Sequence, residues 1–449
     1  MKRQLLTLIF IFCLATIKSQ DVITLDSLNV VTEVNDANVL QATKIYKAAS
    51  KKIRRNDISG AIAEYETAIS LNPKYVDAYK GLALAHLNNG NYDMAIVYFS
   101  KALSMDSLNS DLIKNLSFAY VHRGAGKCDA EDFPAAVSDY TKALEYNQKD
   151  ATLYDDLGAV YLKMGNYDLA LKNFDTALSI QPGYESALLN KAQAYRSMGH
   201  KKFERSDYPG AISDYEGSLI FNPKDDDVYN QLALSFIKLG DFDKAIAILD
   251  KGKSVNPGSE AIKETRPWVY FNRGIKKSDS GDPEGAISDF KEAIQLNPLF
   301  LDAYAEIDST YERLGKADSA LIYQEKALAA KEKINIKVEA EVYLLQGLDK
   351  FNAGDYKGSV RDYSKALELY PDYAEAYNNI GVSYYNLGKY SKAIKYYKLA
   401  LRIDPYYTIA QQNMEDAHQA KSEETGEFIN SILGAIINGI IDGVLEGDE

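Results

Sequence analysis

The chain has 449 residues, a formal net charge of -13, 46% hydrophobic and 26% charged residues, and 34 tyrosines beside one Trp and four His. That length holds two or three ordinary domains or one long repeat array. The acid surplus excludes a nucleic-acid binder, because phosphate recognition needs a basic surface, and it suits an anionic membrane surface no better.

The N-terminus, MKRQLLTLIFIFCLATIKSQ, places Lys2 and Arg3 before an apolar run from Leu5 to Ile17, which is short for a membrane span. We read residues 1–19 as a signal peptide cut after Ser19, so the chain is expected to be exported to the periplasm, the outer surface or the medium. Cys13 follows Phe12 rather than a small residue, which argues against a lipoprotein site. Removal of the leader leaves Cys128 alone, so packing and not a disulfide framework must hold the fold. Residues 20–41 lack the pattern that follows and are expected to be a lead-in with a short extended piece.

From residue 42 the chain repeats itself. YNNIGVSYYNLGKYSKAIKYYKLALRIDP (377–405) and YDDLGAVYLKMGNYDLALKNFDTALSIQP (154–182) share an aromatic, an apolar-Gly step, a Tyr, a turn Gly, Ala, an aromatic, Ala and Pro at the same offsets. This resembles the tetratricopeptide repeat, a 34-residue unit of two antiparallel helices. Ten units fit over 42–407, starting at residues 42, 76, 117, 151, 192, 226, 267, 301, 340 and 374. The second helix of each opens on a small residue, as at Ala61, Ala170 and Ala393, and carries a later one, as at Ala68, Ala177 and Ala400. Small residues let helix backbones approach, and aromatics such as Tyr65, Phe99, Phe174, Phe290 and Tyr397 fill the space between units. Stacked neighbours then share one core. The departures are Ser107, Gln148 and Glu332 for the closing Pro, Asp308 for a small residue and Gln324 for the aromatic.

The units come in pairs, because the small-residue spacing alternates between 34 and 41 and gives a true period of 75. The extra segments SDLIKNL (110–116), ESALLNK (185–191), EAIKETR (260–266) and the shorter NIKVE (335–339) are predicted to lengthen the following first helix at its N-terminal end. The same period explains GAGK at 124–127. A phosphate loop would need a glycine where Val121 stands and a hydroxyl where Cys128 stands. Lys127 instead belongs to a ladder of Lys52, Lys127, Lys202, Lys277 and Lys350, each followed by an Asp five residues on and an acid twelve residues on. We read the ladder as structural, with Lys stems covering apolar surface, ammonium groups meeting the second-helix acid, and the nearer Asp capping that helix. The alternative is a row of cations for a periodic acidic ligand.

The resemblance implies a concave groove lined by first helices that takes an extended peptide or a partner helix. Its candidate residues are Lys80, Leu84, Arg196, His200, Asn230, Leu234, Phe271, Ile275, Leu344, Leu348, Asn378 and Val382. Some members of the family clamp a C-terminal carboxylate with Lys, Arg and Asn from consecutive units. Here the neighbours of Lys80 and Leu84 at the corresponding positions are Val121 and Ala125, so an apolar or amphipathic protein segment fits better than an acidic tail. The four histidines show no metal-ligand spacing, and no nucleophile elbow, HExxH or dinucleotide turn is present. We therefore expect no catalysis, metal or cofactor.

Beyond the units, 408–421 reads as a polar capping helix, 422–427 as a linker, and 428–449 as a hydrophobic, Gly-containing tail. In the tail, apolar pairs recur every four residues from Phe428–Ile429 to Val444–Leu445, interrupted by Asn430, Asn438 and Asp442. That makes a poor membrane span, and the open readings are docking into the chain's own groove, self-association or membrane contact. The expected fold is all-α, a tetratricopeptide-repeat superhelical solenoid of ten helix-turn-helix units in five pairs with a C-terminal hydrophobic helix. The expected function is an exported protein-interaction scaffold. The alternative is a membrane-associated assembly or lipid-binding factor acting through the tail.

Overall fold

The computed structural model describes the backbone of residues 25–445 and the side chains of residues 36–426, so the expected leader lies outside it, as do the side chains of the tail. Every element among the described residues is helical. The chain divides into two compact units, residues 1–194 and 195–449. The first contains α1 (Leu25–Arg54), α2 (Ile58–Leu71), α3 (Val76–Asn88), α4 (Tyr92–Met105), α5 (Ser110–Asp129), α6 (Phe133–Tyr146), α7 (Ala151–Lys163) and α8 (Tyr167–Ile180). The division falls within α9 (Glu185–Glu204). The second unit continues with α10 (Tyr208–Phe221), α11 (Asp226–Lys238), α12 (Phe242–Val255), α13 (Glu260–Asp279), α14 (Pro283–Leu296) and α15 (Leu301–Arg313). It ends with α16 (Ala317–Asn352), α17 (Tyr356–Leu369), α18 (Ala374–Asn386), α19 (Tyr390–Ile403) and α20 (Thr408–Leu445).

Local chemistry sets the helix pairs. The Asp of each ladder repeat caps a second helix: Asp57 accepts from the Gly60 amide at 2.9 Å, Asp207 from Gly210 at 3.0 Å and Asp282 from Gly285 at 2.9 Å. The reversal before each cap needs a left-handed residue. Seven of these are glycines with φ between 69° and 81°, while Asn56, Glu131 and Ser206 adopt φ near 60° without that freedom. A Cβ in this region costs about 1–2 kcal/mol. Glu131→Gly and Ser206→Gly are therefore each expected to raise stability by about 1 kcal/mol in denaturant titrations, and no gain at either site would rule out the strain.

The packing within a pair is ring on glycine. Phe174, Tyr215, Phe290, Tyr363 and Tyr397 are buried, and each lies against Gly158, Gly199, Gly274, Gly347 or Gly381 of its partner helix. A Cβ on Gly274 would stand 2.6 Å from the Phe290 ring, so the first helix must be bare there. In the eighth repeat Asp308 occupies the glycine position and Gln324 the aromatic one, and the Gln324 amide donates to Asp308 at 3.0 Å. A side chain where the ring would lie and a polar group where the ring would be are one coupled change.

The inserted segments lengthen first helices as the sequence predicts: α5, α9 and α13 have 20 residues against 13 for α3, α7, α11, α15 and α18. Three expectations are corrected. Residues 25–41 are not extended but form the start of α1, since nothing in LDSLNVVTEVNDANVLQ breaks a helix. The linker 422–427 lies inside α20, where the lone Gly426 does not stop it. The fourth inserted segment does not begin a new helix. The second helix of the eighth repeat and the first of the ninth form one 36-residue helix, α16.

Candidate interaction surface

The first unit contains a cleft of about 510 Å³ between α5 and the start of α7. Its wall on α5 follows one helical face through Lys114, Phe118, Val121 and His122, and Leu153 and Asp156 on α7 face it. Phe118 is 50% exposed and its ring centroid lies 4.0 Å from that of His122, which stacks on Tyr92 at 5.6 Å. The cleft is thus an apolar trough with polar ends.

Asp156 is the anomaly in it. Burial, with Asp155 and Asp150 adding like charge, pushes its carboxyl up from 3.8 to about 6. Asp155 beside it is buried but accepts from Ser186 at 2.5 Å and Asn190 at 2.9 Å, so its charge is solvated by α9. The sign follows from linkage: between about 4 and 6 the folded chain keeps a proton that the unfolded chain has lost. Asp156 therefore contributes progressively less stability as pH rises through that window, and nothing further changes above it. Asp156→Asn is expected to stabilise the chain by about 1–3 kcal/mol at pH 7.5 and to be neutral near pH 4. Equal effects at the two pH values in thermal melts would contradict this assignment.

The residues expected to line a groove are dispersed in burial and role. In the first unit, Lys80 pairs with Asp111 at 2.9 Å, and its hydrogen bond holds that carboxyl below its ordinary range. Leu84 packs against the core of its repeat. In the second unit, Arg196 reaches Asp225 at 3.2 Å and Asp227 at 3.3 Å. His200 meets the Tyr215 hydroxyl at 3.2 Å, and burial followed by the Arg196 charge lowers its pKa. Asn230 is buried and Leu234 packs half-buried. Phe271 lies among Trp268, Phe290 and Phe300 with centroids 5.8, 5.7 and 5.0 Å away, and Ile275 joins the same core. Leu344 is buried and Leu348 exposed. Asn378 accepts from Asn413 of α20 at 3.0 Å, and Val382 joins the same core cluster as Met414 and Ala417 of α20, so the terminal helix covers this last pair.

Four ladder lysines reach their own acid: Lys52–Glu64 at 2.8 Å, Lys202–Asp214 at 2.7 Å, Lys277–Asp289 at 2.8 Å and Lys350–Asp362 at 2.5 Å. Lys127 is exposed, and Asp139 is taken instead by Arg123 at 2.8 and 2.5 Å. Arg123 also holds Asp93 at 2.8 Å, and Arg273 repeats the pattern with Asp289 and Asp243. These are ties between and within repeats, with the carboxylates of Asp139, Asp214, Asp289 and Asp362 buried beneath them.

Sequence reasoning passed over Phe118, His122 and Asp156. It followed the fifth and ninth positions of each first helix, whereas Phe118, His122 and Asp156 stand at the second and sixth, and only Val121 in the wall holds a fifth position. The signal was present: Phe118 and Trp268 are aromatic at a position that is Thr43, Asp77, Thr152, Gln193, Asp227, Asp302, Glu341 or Glu375 in the other repeats. Both are 50% exposed.

Models described as tetratricopeptide repeat match residues 76–107, 156–184, 202–266 and 344–408, and one described as TPR repeat matches 52–90. The chain belongs to the tetratricopeptide-repeat family. Among the relatives of this tetratricopeptide-repeat protein, human tetratricopeptide repeat protein 6 is 27% identical over 226 residues, covering 49% of this chain and 39% of the relative. The Hsp70-Hsp90 organizing protein of Triticum aestivum is 23% identical over 289 residues, 63% of this chain and 46% of its own. The chain thus spans less than half the length of these relatives. A solved tetratricopeptide repeat protein from Parabacteroides merdae aligns with 60% of this chain and 98% of its own at 18% identity, with a TM-score of 0.28.

Proposed function

We propose that this tetratricopeptide-repeat protein is an exported scaffold for protein–protein interaction, and that the α5–α7 trough seats an apolar or amphipathic segment of a partner. Asp156 carries this reading. A carboxyl held in a partly desolvated trough at a cost to stability is retained for what it meets, here a basic or amide group beside an apolar anchor resting on Phe118 and His122. Export rests on the residues of 1–19 alone. Among the described residues no cluster of His, Cys, Asp and Glu could hold a metal ion.

A photo-crosslinking side chain at position 118, used in the native envelope, tests it. The expected result is one defined protein, whose affinity Phe118→Ala lowers about tenfold or more with an unchanged melting point. An affinity indifferent to Phe118 and Asp156 but lost on removal of 428–449 would transfer the function to the tail. Among the described residues no helix is long and apolar enough to cross a membrane.

A further inference from the structure

The continuous α16 leaves uncovered an apolar face that is covered in the other repeats that carry it. In the other second helices the residue after the opening small one is buried or half-buried, and so is the residue after the later small one except in the sixth repeat, where the exposed Lys253 stands. Ile96, Ile287 and Ile394 are buried at the first of these positions, and Leu103, Leu144 and Ile294 are half-buried at the second. In α16 the same positions are Leu321, 56% exposed, and Leu328, 68% exposed. The opposite side of the junction is bare as well. The third residue of a first helix is fully buried at Ala78, Ala119, Val228, Val269, Ala303 and Ala376, but its counterpart Val342 is 49% exposed. Both halves of one ordinary interface are therefore present in α16, on a single rod of about 54 Å that cannot fold one half onto the other.

We propose that a second copy of this chain closes this interface: the eighth-repeat part of α16 in one copy packs on the ninth-repeat part of α16 in the other, and reciprocally. The contact is a domain swap with two-fold symmetry, so each copy offers both surfaces and the assembly stops at a dimer. The register of α16 supports this occupant. Leu328 and Val342 stand equally far on either side of Asn335, so antiparallel packing about that residue sets Leu328 against Val342 of the second copy. The same register sets Lys331 opposite Glu339 of the second copy, an opposite-charge pair at the edge of the apolar contact. Val338 and Leu345, 56% and 55% exposed, widen the face. This interface is separate from the α5–α7 trough and from residues 428–449.

The test uses the full chain with Cys13 and Cys128 replaced by Ser. Light scattering is expected to give twice the 50.0 kDa chain mass. Under oxidation, Leu328→Cys with Val342→Cys is expected to form an interchain disulfide. Within one α16 the two positions lie about 21 Å apart, beyond disulfide reach. Lys333→Cys serves as the control for random collision. Glu332→Pro with Lys333→Gly restores the helix stop of the other repeats and is expected to convert the dimer to a monomer with its helix content kept. An intrachain disulfide would show that one chain closes on itself, and would overturn the proposal. So would a monomer, or a dimer that forms no 328–342 cross-link above the control.

Discussion

Phe290→Ala is expected to lower stability by about 3–5 kcal/mol, while Gln324→Ala, at the same position of the next repeat, costs less than about 1 kcal/mol. Phe290 is fully buried, its ring rests on Gly274, and it touches Phe271 with centroids 5.7 Å apart. Truncation leaves a cavity that two rigid helices cannot collapse into. Gln324 is exposed and gives up only its hydrogen bond to Asp308. Gly274→Ala alone drives a methyl group into the ring and is expected to cost about 1–3 kcal/mol. In the double variant the new methyl enters the space the ring has vacated, so the combined loss is less than the sum. Urea titrations followed by helical signal measure all four chains, and strict additivity, or equal losses at 290 and 324, would show that the ring-on-glycine contact does not stabilise the repeat. Because each repeat holds mainly to its neighbours, the loss is expected to appear first as early unfolding around α13 and α14.

The helix pairs, their turns and the paired period were legible because each depends on residues within one repeat or its neighbour. The aromatic, the glycine it rests on, the capping Asp and the left-handed turn are all within 16 residues of one another, so the pattern shows them directly. The continuous α16 was not legible from the closing Pro alone. Ser107 and Gln148 also replace that Pro, yet α4 and α6 stop. What ends them is a pair of polar side chains. Asn109 donates to Asp106 at 2.8 Å and accepts from the Leu112 amide at 3.2 Å, and Asn147 donates to Asp150 at 3.0 Å while Asp150 accepts from the Thr152 amide. The eighth repeat has Lys331 and Ile334 at the positions of Asp106 and Asn109, and neither accepts an amide through its side chain. With Pro and both caps gone the helix continues. The α5–α7 trough was hidden for another reason: burial of Asp156 depends on how two first helices lean together, which periodicity does not contain.

Lys202→Met is expected to cost about 2–3 kcal/mol, and Lys127→Met close to nothing, although both residues occupy the same rung of the ladder. Lys202 meets Asp214 at 2.7 Å, and Asp214 is only 5% exposed, so the substitution leaves a buried carboxylate without its ion-pair partner. The full penalty for orphaning a buried charge is about 3–5 kcal/mol; the partly exposed Lys202 head shows that water reaches the site and reduces it. At the Lys127 rung, Asp139 is already held by two nitrogens of Arg123, and the exposed Lys127 can be removed without orphaning it. Arg123→Met is therefore the variant expected to be costly there. Asp214→Asn in the Lys202→Met background is expected to recover part of the loss, because an amide carries no charge to desolvate. Denaturant titration of the four chains decides the matter. Equal losses for Lys202→Met and Lys127→Met would mean that the ladder acts through its stems rather than through its ion pairs. A loss at Lys202 alone ties each cation to the carboxylate beneath it, and a row of cations so neutralised has little charge left for an acidic ligand.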